Sequence, residues 1–535
     1  MKIKHTILIL VMLVLVLNKP VSGQDHHERY ATLDVLNYRF EIDLNDSTDV
    51  IRCKAEVAVL FKSELDRFYL DLTSVDGTGT GMKIEEVMEN GLEIPFVHSD
   101  NRVTLAIPPA EAGETRIFRI QYHGIPSDGL IISKNKFGDR TFFGDNWPNR
   151  AHHWLPTVDH PSDKAMVEFL VYAPEHYGIV SNGTNMCVVR ENGRVTSHWK
   201  TIVPLPTKLM VIGVSPFAVQ ELESSSGIPV STWVYPQNRA AGFYDYSIAT
   251  YPLDFFESYI APYPFSKLAN VQSKTVYGGM ENASCIFYSE RTVTGNRDLE
   301  VLFAHEIAHQ WFGDAVSEMD WHHIWLSEGF ATYLTDLYVE YEHGRDAFVA
   351  SMLDEKGQVL RFARRRLAPI VDTTLPVSIR LLNKNSYEKA GWVLHMLRHQ
   401  LGDELFHQCI RVFYSKFKYA NALTEDFQEV VESLSGRNFD SFFLQWFYQP
   451  GHPVLSSIME YKNKEIRLTI RQHQEQHTFF FPLDVKISDD QGNVFSTTLA
   501  IDSHEQVFTF DSAWKPAQII LDPETWLLFE HHHAP

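Results

Sequence analysis

His305, Glu306 and His309 stand in the string H-E-x-x-H, His305-Glu306-Ile307-Ala308-His309, and Glu328 follows nineteen residues after the second histidine. These residue types at this spacing can hold a metal ion and use it. Four residues along an α-helix advance roughly 40° past a full turn, so both imidazoles leave one face and can meet one cation. Two neutral imidazoles and one carboxylate make a three-ligand zinc site with a fourth position left for water, which is the catalytic rather than the structural arrangement. The expectation is therefore one Zn2+ per chain on His305, His309 and Glu328. Glu306 is not needed as a ligand and can take the proton of an attacking water, the role of a general base in hydrolysis.

Two helices must position these groups. The first is expected from about Asp298 to Phe312. The second opens at Trp325-Leu326-Ser327-Glu328, with Ser327 read as its N-cap. Its apolar residues Phe330, Tyr333, Leu334, Leu337, Tyr338 and Tyr341 keep helical spacing, and Gly344 is placed to end it. Glu328 thus sits in the first turn of a helix whose other face enters a core.

The rest of the chain divides by periodicity. Leu36, Tyr38, Phe40, Ile42 and Leu44 alternate with polar neighbours, as do Cys53, Ala55, Val57, Val59 and Phe61. Such strands continue to about Val219 and suggest a β-sandwich-like domain over 24–219. From there the period lengthens. Ala241 to Tyr259 reads as a helix, Thr424 as the N-cap of a later one, and 220–450 as the zinc domain. Alternation returns in Ile466, Leu468 and Ile470, and in Leu483, Val485 and Ile487 before the turn Asp489-Asp490-Gln491-Gly492-Asn493. Residues 451–535 form a small second β-sandwich domain and tail. The fold class is α+β, multidomain.

Lys2 and Lys4, the apolar run Ile7 to Leu17, and Val21-Ser22-Gly23 read as a secretory signal over 1–23. The expected location is exported, periplasmic or secreted, with no membrane insertion after cleavage because the apolar run is too short to span. Loss of Lys2, Lys4 and Lys19 takes the formal net charge from −21 to −24. So acidic a surface argues against nucleic acid as a partner. Arg361 to Arg366 is the one dense basic run, a solvated face or a set of ion-pair donors. Cys53, Cys187, Cys285 and Cys409 lack the spacing of a zinc knuckle or a disulfide framework. His531-His532-His533 reads as a solvated tail.

H-E-x-x-H, eighteen residues, then Glu resembles the gluzincin zinc aminopeptidases, the family of aminopeptidase N and leukotriene-A4 hydrolase. Gly278-Gly279-Met280-Glu281-Asn282 resembles that family's exopeptidase motif, and Tyr387-Glu388-Lys389-Ala390-Gly391 its tyrosine segment. Gln310-Trp311-Phe312-Gly313 is also typical of it. Ser327 and Asp314 stand where the family has Asn. The resemblance implies a thermolysin-like catalytic domain between two β-domains, and an aminopeptidase acting on peptides. Many relatives add a large helical C-terminal domain that roofs the site. This sequence carries none, so a more open cleft, or a cleft covered by another chain, is expected.

The resemblance also implies roles. Glu281 would pair with the α-amino cation of a peptide, whose pKa lies near 8. Met280 would belong to the same segment, and Gly278 and Gly279 would let the substrate backbone come close. Asp145, ahead of Arg150-Ala151-His152-His153-Trp154-Leu155-Pro156, would take the place of a second residue for the substrate N-terminus. Tyr387 would donate to the oxyanion, although by its own context it is equally a core tyrosine opening the helix that runs to Leu401. Two alternatives stay beside the aminopeptidase: an endopeptidase on the same zinc core and a non-catalytic peptide-binding scaffold. One branch of the family also hydrolyses epoxides.

Overall fold

The computed structural model describes residues 29–532; the expected signal segment 1–23 and His533 lie outside them. The N-terminal part is β-rich. Leu33–Asp43 and Ile51–Phe61 pair antiparallel at the centre of a nine-stranded sheet. Tyr38, Phe40, Ile42 and Leu44 turn into the core as their alternation requires. Leu36 does not: a bulge between Val35 and Asn37 shifts the register by one residue, and Leu36 is exposed. A three-stranded and a four-stranded sheet complete this region.

The central part is built on a five-stranded sheet. Its spatial order is Ala218–Glu223, Pro229–Val234, Leu268–Ser273, Cys285–Ser289, Gly279–Met280. Gly279–Met280 is the edge strand, antiparallel to Cys285–Ser289. Helices α1 (Arg239–Tyr246) and α2 (Thr250–Tyr259) cover the stretch expected as one helix. A short 3-10 turn, Ser247–Ala249, separates them, so that Ile248 and Ala249 can be buried. Helix α3 is Glu300–Ala308, shorter than expected because residues 309–312 continue as tight turns. It lies on the sheet: the Phe303 ring stacks on Tyr288 with centroids 4.2 Å apart.

Helix α4, Trp325–His343, runs through the middle of the molecule. Every residue from Trp325 to Val339 is buried, and its polar residues Ser327, Glu328, Thr332, Thr335 and Asp336 are buried with the apolar ones. Gly344, at φ +85°, ends it. Helices α5 (Arg345–Ala363), α6 (Ala390–Leu401), α7 (Asp403–Phe417) and α8 (Thr424–Ser435) pack around it. Thr424 is not the cap of α8 but its first residue. Asp426 closes the turn by accepting from the Leu423 N–H, and the Thr424 hydroxyl instead serves His323 and Trp325.

The C-terminal part is a four-stranded and a three-stranded sheet. Ile466, Leu468 and Ile470 and Leu483, Val485 and Ile487 are buried in it. The tail is not loose. Glu530–His531 adds a parallel strand beside Val454, the His532 N–H donates to the Leu455 carbonyl, and its ring stacks on His473. Two of the basic-run arginines are ion-pair donors: Arg364 reaches Glu530 at 2.6 Å and Arg366 pairs with Asp372. All four cysteines are free thiols.

Candidate active site

α3 and α4 bring the three expected ligands together. The ligand atoms of His305, His309 and Glu328 all lie within 4.8 Å of one another. Glu328 Oε2 is 3.3 Å from His309 Nε2 and 3.6 Å from His305 Nε2, and the two Nε2 atoms are 3.1 Å apart. Oε2 is buried and accepts no hydrogen bond. Three electron-pair donors converging on one point, one of them an orphaned buried carboxylate oxygen, fit a divalent cation, and the N,N,O donor set suits zinc.

The orientation of His309 is fixed from behind. Its Nδ1 lies 3.1 Å from Ser327 Oγ and 3.2 Å from the Phe312 carbonyl. This leaves Nε2 for the metal. Ser327 is therefore not the N-cap of α4. The preceding 3-10 turn Trp321–His323 feeds straight into the helix, Ile324 takes the cap position, and Asp320 caps the turn by accepting from the His322 N–H. Ser327 lies inside the first turn, where its hydroxyl meets the ligand. Gly313 at φ +125° makes the room, since a Cβ there would overlap Ser327 Oγ and crowd His309 Nδ1. The sequence reading missed both roles; the signal available was a Gly in the turn after a ligand helix.

A cavity of about 270 Å³ opens beside the ligands. Trp147, Tyr277, Gly278, Gly279, Met280, Glu281, Leu302, Glu306, Leu382 and Tyr387 complete its lining. At Gly278 an added Cβ would meet only the Leu302 side chain, at 3.6 Å, so the backbone is approachable there as expected. Gly279 does not. A methyl group there would fall on the Glu306 carboxyl, so this glycine makes room for Glu306. Burial pushes Glu306 well above the usual carboxylate range; His309 opposes this, and the neighbouring Glu281 and Glu328 add to it. A cation among these groups would reverse that balance.

Tyr387 sits in a π-turn, Asn385–Lys389, just before α6. Its ring stacks on His305 at 6.0 Å with planes 14° apart. Burial, then the Glu328 and Glu281 carboxylates, raise its phenol well above 10, so the hydroxyl stays a donor. Glu281 is buried and its Oε1 has no partner. Asp145 is not in the lining. Its carboxylate is buried against Arg150 at 2.6 Å and burial pushes it up to about 6. Trp147 from the same segment lines the cavity instead, set against Tyr277 and Trp321.

Residues 244–446 match the model of the Peptidase family M1 domain, and residues 34–209 that of the Peptidase M1 N-terminal domain. The chain is 24% identical over 507 residues to leucyl aminopeptidase of Saccharolobus solfataricus, covering 88% of this chain and 61% of the relative. It is 28% identical over 456 residues to tricorn protease-interacting factor F2 of Thermoplasma acidophilum, covering 81% and 55%. The chain thus spans little more than half the length of these relatives. An M1 zinc metallopeptidase from Deinococcus radiodurans has a similar fold, with TM-score 0.65 at 23% identity, covering 75% of this chain and 90% of that structure.

Removing a ligand should remove the metal. Glu328→Ala leaves two imidazoles, so after dialysis its zinc content should fall well below one per chain while wild type keeps its ion. A Glu328→Ala protein that retained a full equivalent would place the third ligand elsewhere.

Proposed function

The chain belongs to peptidase family M1, and we propose that it is a zinc aminopeptidase that removes single residues from the free N-termini of peptides. The observation that carries this reading is Glu281: a buried carboxylate with an unpartnered oxygen, in the same small cavity as His305, His309 and Glu328. An α-amino cation is the group of a peptide that such a carboxylate binds best, by a charge-assisted hydrogen bond in a partly dry pocket. An endopeptidase has no use for it.

The residues divide the work. His305, His309 and Glu328 would hold the zinc, which supplies Lewis-acid activation of water and carbonyl when bound. Glu306 takes a proton from the attacking water and returns it to the leaving amine. The Tyr387 hydroxyl donates to the oxyanion, a contact worth on the order of 3 kcal/mol in the barrier. Glu281 fixes the amino end, so the scissile bond is the first one. Trp147, Tyr277, Leu302 and Leu382 narrow the cavity and limit water there.

The test is kcat/KM for a peptide with a free amino group and its N-acetylated twin. Wild type should prefer the free peptide by roughly 100-fold, the scale of losing one partner of a buried charge pair. Glu281→Ala should close most of that gap. Equal wild-type rates on the two peptides would leave an endopeptidase on the same core.

The seat of Glu306 gives a second test. Gly279→Ala should keep one zinc per chain yet lower kcat by about 100-fold, because the displaced carboxyl is the general base. Normal turnover in that variant would mean that Glu306 does not need its present position.

Export follows from Lys2, Lys4, the apolar run Ile7 to Leu17 and the small residues before Gln24. Protein recovered from outside the cytoplasm should begin at Gln24. Recovery only from the cytoplasm with Met1 in place would overturn export and leave the chemistry untouched.

A further inference from the structure

Gln310 follows the second ligand histidine and touches neither the metal triad nor the cavity. Its side chain is completely buried, and its amide makes four hydrogen bonds. Nε2 donates to the Glu281 backbone carbonyl at 2.8 Å and to Asp314 Oδ2 at 2.8 Å. Oε1 accepts from the Ser284 N–H at 2.8 Å and from the Tyr263 hydroxyl at 3.0 Å. A primary amide has two N–H donors and one carbonyl oxygen, so this one is used to capacity and its orientation is fixed by its partners.

Two of those bonds run to the segment 281–284, which carries Glu281 and ends at Ser284 with φ +62°. The segment leaves the edge strand Gly279–Met280, whose pairing ends at Met280; Asn182 and Ala269 hold its far end through the Ala283 and Ser284 carbonyls, and Gln310 takes the Glu281 carbonyl. Gln310 itself is one residue past His309, whose ring is held by Ser327 Oγ and the Phe312 carbonyl. The amide is therefore a rigid tie between the turn that ends α3 and the main chain of Glu281. An aminopeptidase needs that tie. Its cut falls after one residue only if the carboxylate that binds the amino group stands at a set distance from the metal, and misplacement by about 1 Å can cost 100-fold.

We propose that Gln310 is the positioning residue that sets Glu281 at its distance from the metal, and so sets where the peptide is cut. This rests on the aminopeptidase reading of Glu281. Asp314 is part of the device. Asn and Asp both offer an oxygen to Gln310 Nε2, so Asp314→Asn alone can keep all four bonds.

That gives a clean perturbation. In the double variant Gln310→Glu/Asp314→Asn, the carboxylate at 310 still accepts from the Ser284 N–H and Tyr263, and the amide introduced at position 314 donates to it. At the Glu281 carbonyl the donor is replaced by an acceptor oxygen, which pushes that carbonyl away. The double variant should hold one zinc per chain. KM for a free-amino dipeptide amide should rise about 10-fold with a smaller change in kcat, and the preference for the free over the N-acetylated substrate should fall about 10-fold. Asp314→Asn alone should keep the wild-type preference ratio within about twofold. Tyr263→Phe, which removes one donor and leaves the amide less fixed, should move KM and ratio in the same direction by about threefold. It decides the matter if the double variant does not fold.

Zinc-loaded variants with the wild-type KM and ratio would overturn the role of Gln310 while leaving the aminopeptidase intact. A wild type with no preference for the free amine would instead overturn the reading of Glu281 on which the role depends. A fall in kcat alone, with the ratio unchanged, would make Gln310 a packing residue and nothing more.

Discussion

Glu281, Glu306 and Glu328 line one cavity and Asp314 lies behind it, each at most 5% exposed, and the whole architecture answers to that concentration of negative charge. An isolated buried carboxylate is costly, and several together repel as well. Compensation comes from two sides. On the cavity side, His305 and His309 meet Glu328 and, with a divalent cation, would turn the acidic cluster from a burden into a binding site. On the far side Lys208, itself buried, pairs with Glu318 at 2.6 Å and faces Glu281 and Asp314. Lys164 lies near the same group and donates to the carbonyls of Asp314, Ala315 and Ala420. Both lysines come from the N-terminal β-rich part, so the site is electrically complete only when that part and the catalytic part are packed together.

The ligand geometry depends on how closely the loop after α3 approaches α4. Gly313 permits it, and Ser327 uses it to hold His309. Where the family's resemblance leads one to expect Asn before the glutamate ligand, a serine hydroxyl reaches the same imidazole. Likewise Asp314 accepts from Gln310 where Asn is usual. Burial raises the Asp314 carboxyl well above its usual range, with His309, Lys208 and Lys164 opposing. A neutral side chain at 314 would offer Gln310 the same oxygen.

Much of this was legible from residue order because the interactions are local. H-E-x-x-H declares itself through helical spacing, and α4 through a long apolar period with Gly344 at its end. What the sequence misled on was set by partners distant in the chain. Ser327 and Thr424 have the chemistry of N-caps, yet tertiary contacts claim their hydroxyls, for His309 in one case and for His323 and Trp325 in the other. Leu36 alternates correctly until a bulge turns it outward. Gly279 looks like space for a substrate and is space for Glu306. His531 and His532 look like a solvated tail and instead extend a sheet. In each instance local propensity was right about what the residue can do, and packing chose which of those things it does.

That choice reaches Tyr387 as well. A π-turn adds a residue to the helical ladder, and such turns need support because they are poor structures on their own. The turn is held by Asn385, which donates to the Ala368 and Pro369 carbonyls, and by Ser386, which donates to the Leu381 carbonyl; the helix after it is held by the C-terminal part. Helix α6 follows the turn directly, and Trp526 lies flat against two of its histidines, His395 at 4.5 Å and His399 at 4.8 Å. His395 is buried and bonded at both ring nitrogens, to the Tyr333 hydroxyl on α4 and the Thr525 carbonyl on the tail. One imidazole thus ties the ligand-bearing helix α4, helix α6 after the Tyr387 turn, and the last β-domain together. Burial holds that ring neutral, its pKa pushed down to about 3, so the tie does not titrate where the site works. The small β-domain is therefore not an appendage to the catalytic part: it braces the helix that follows the Tyr387 turn.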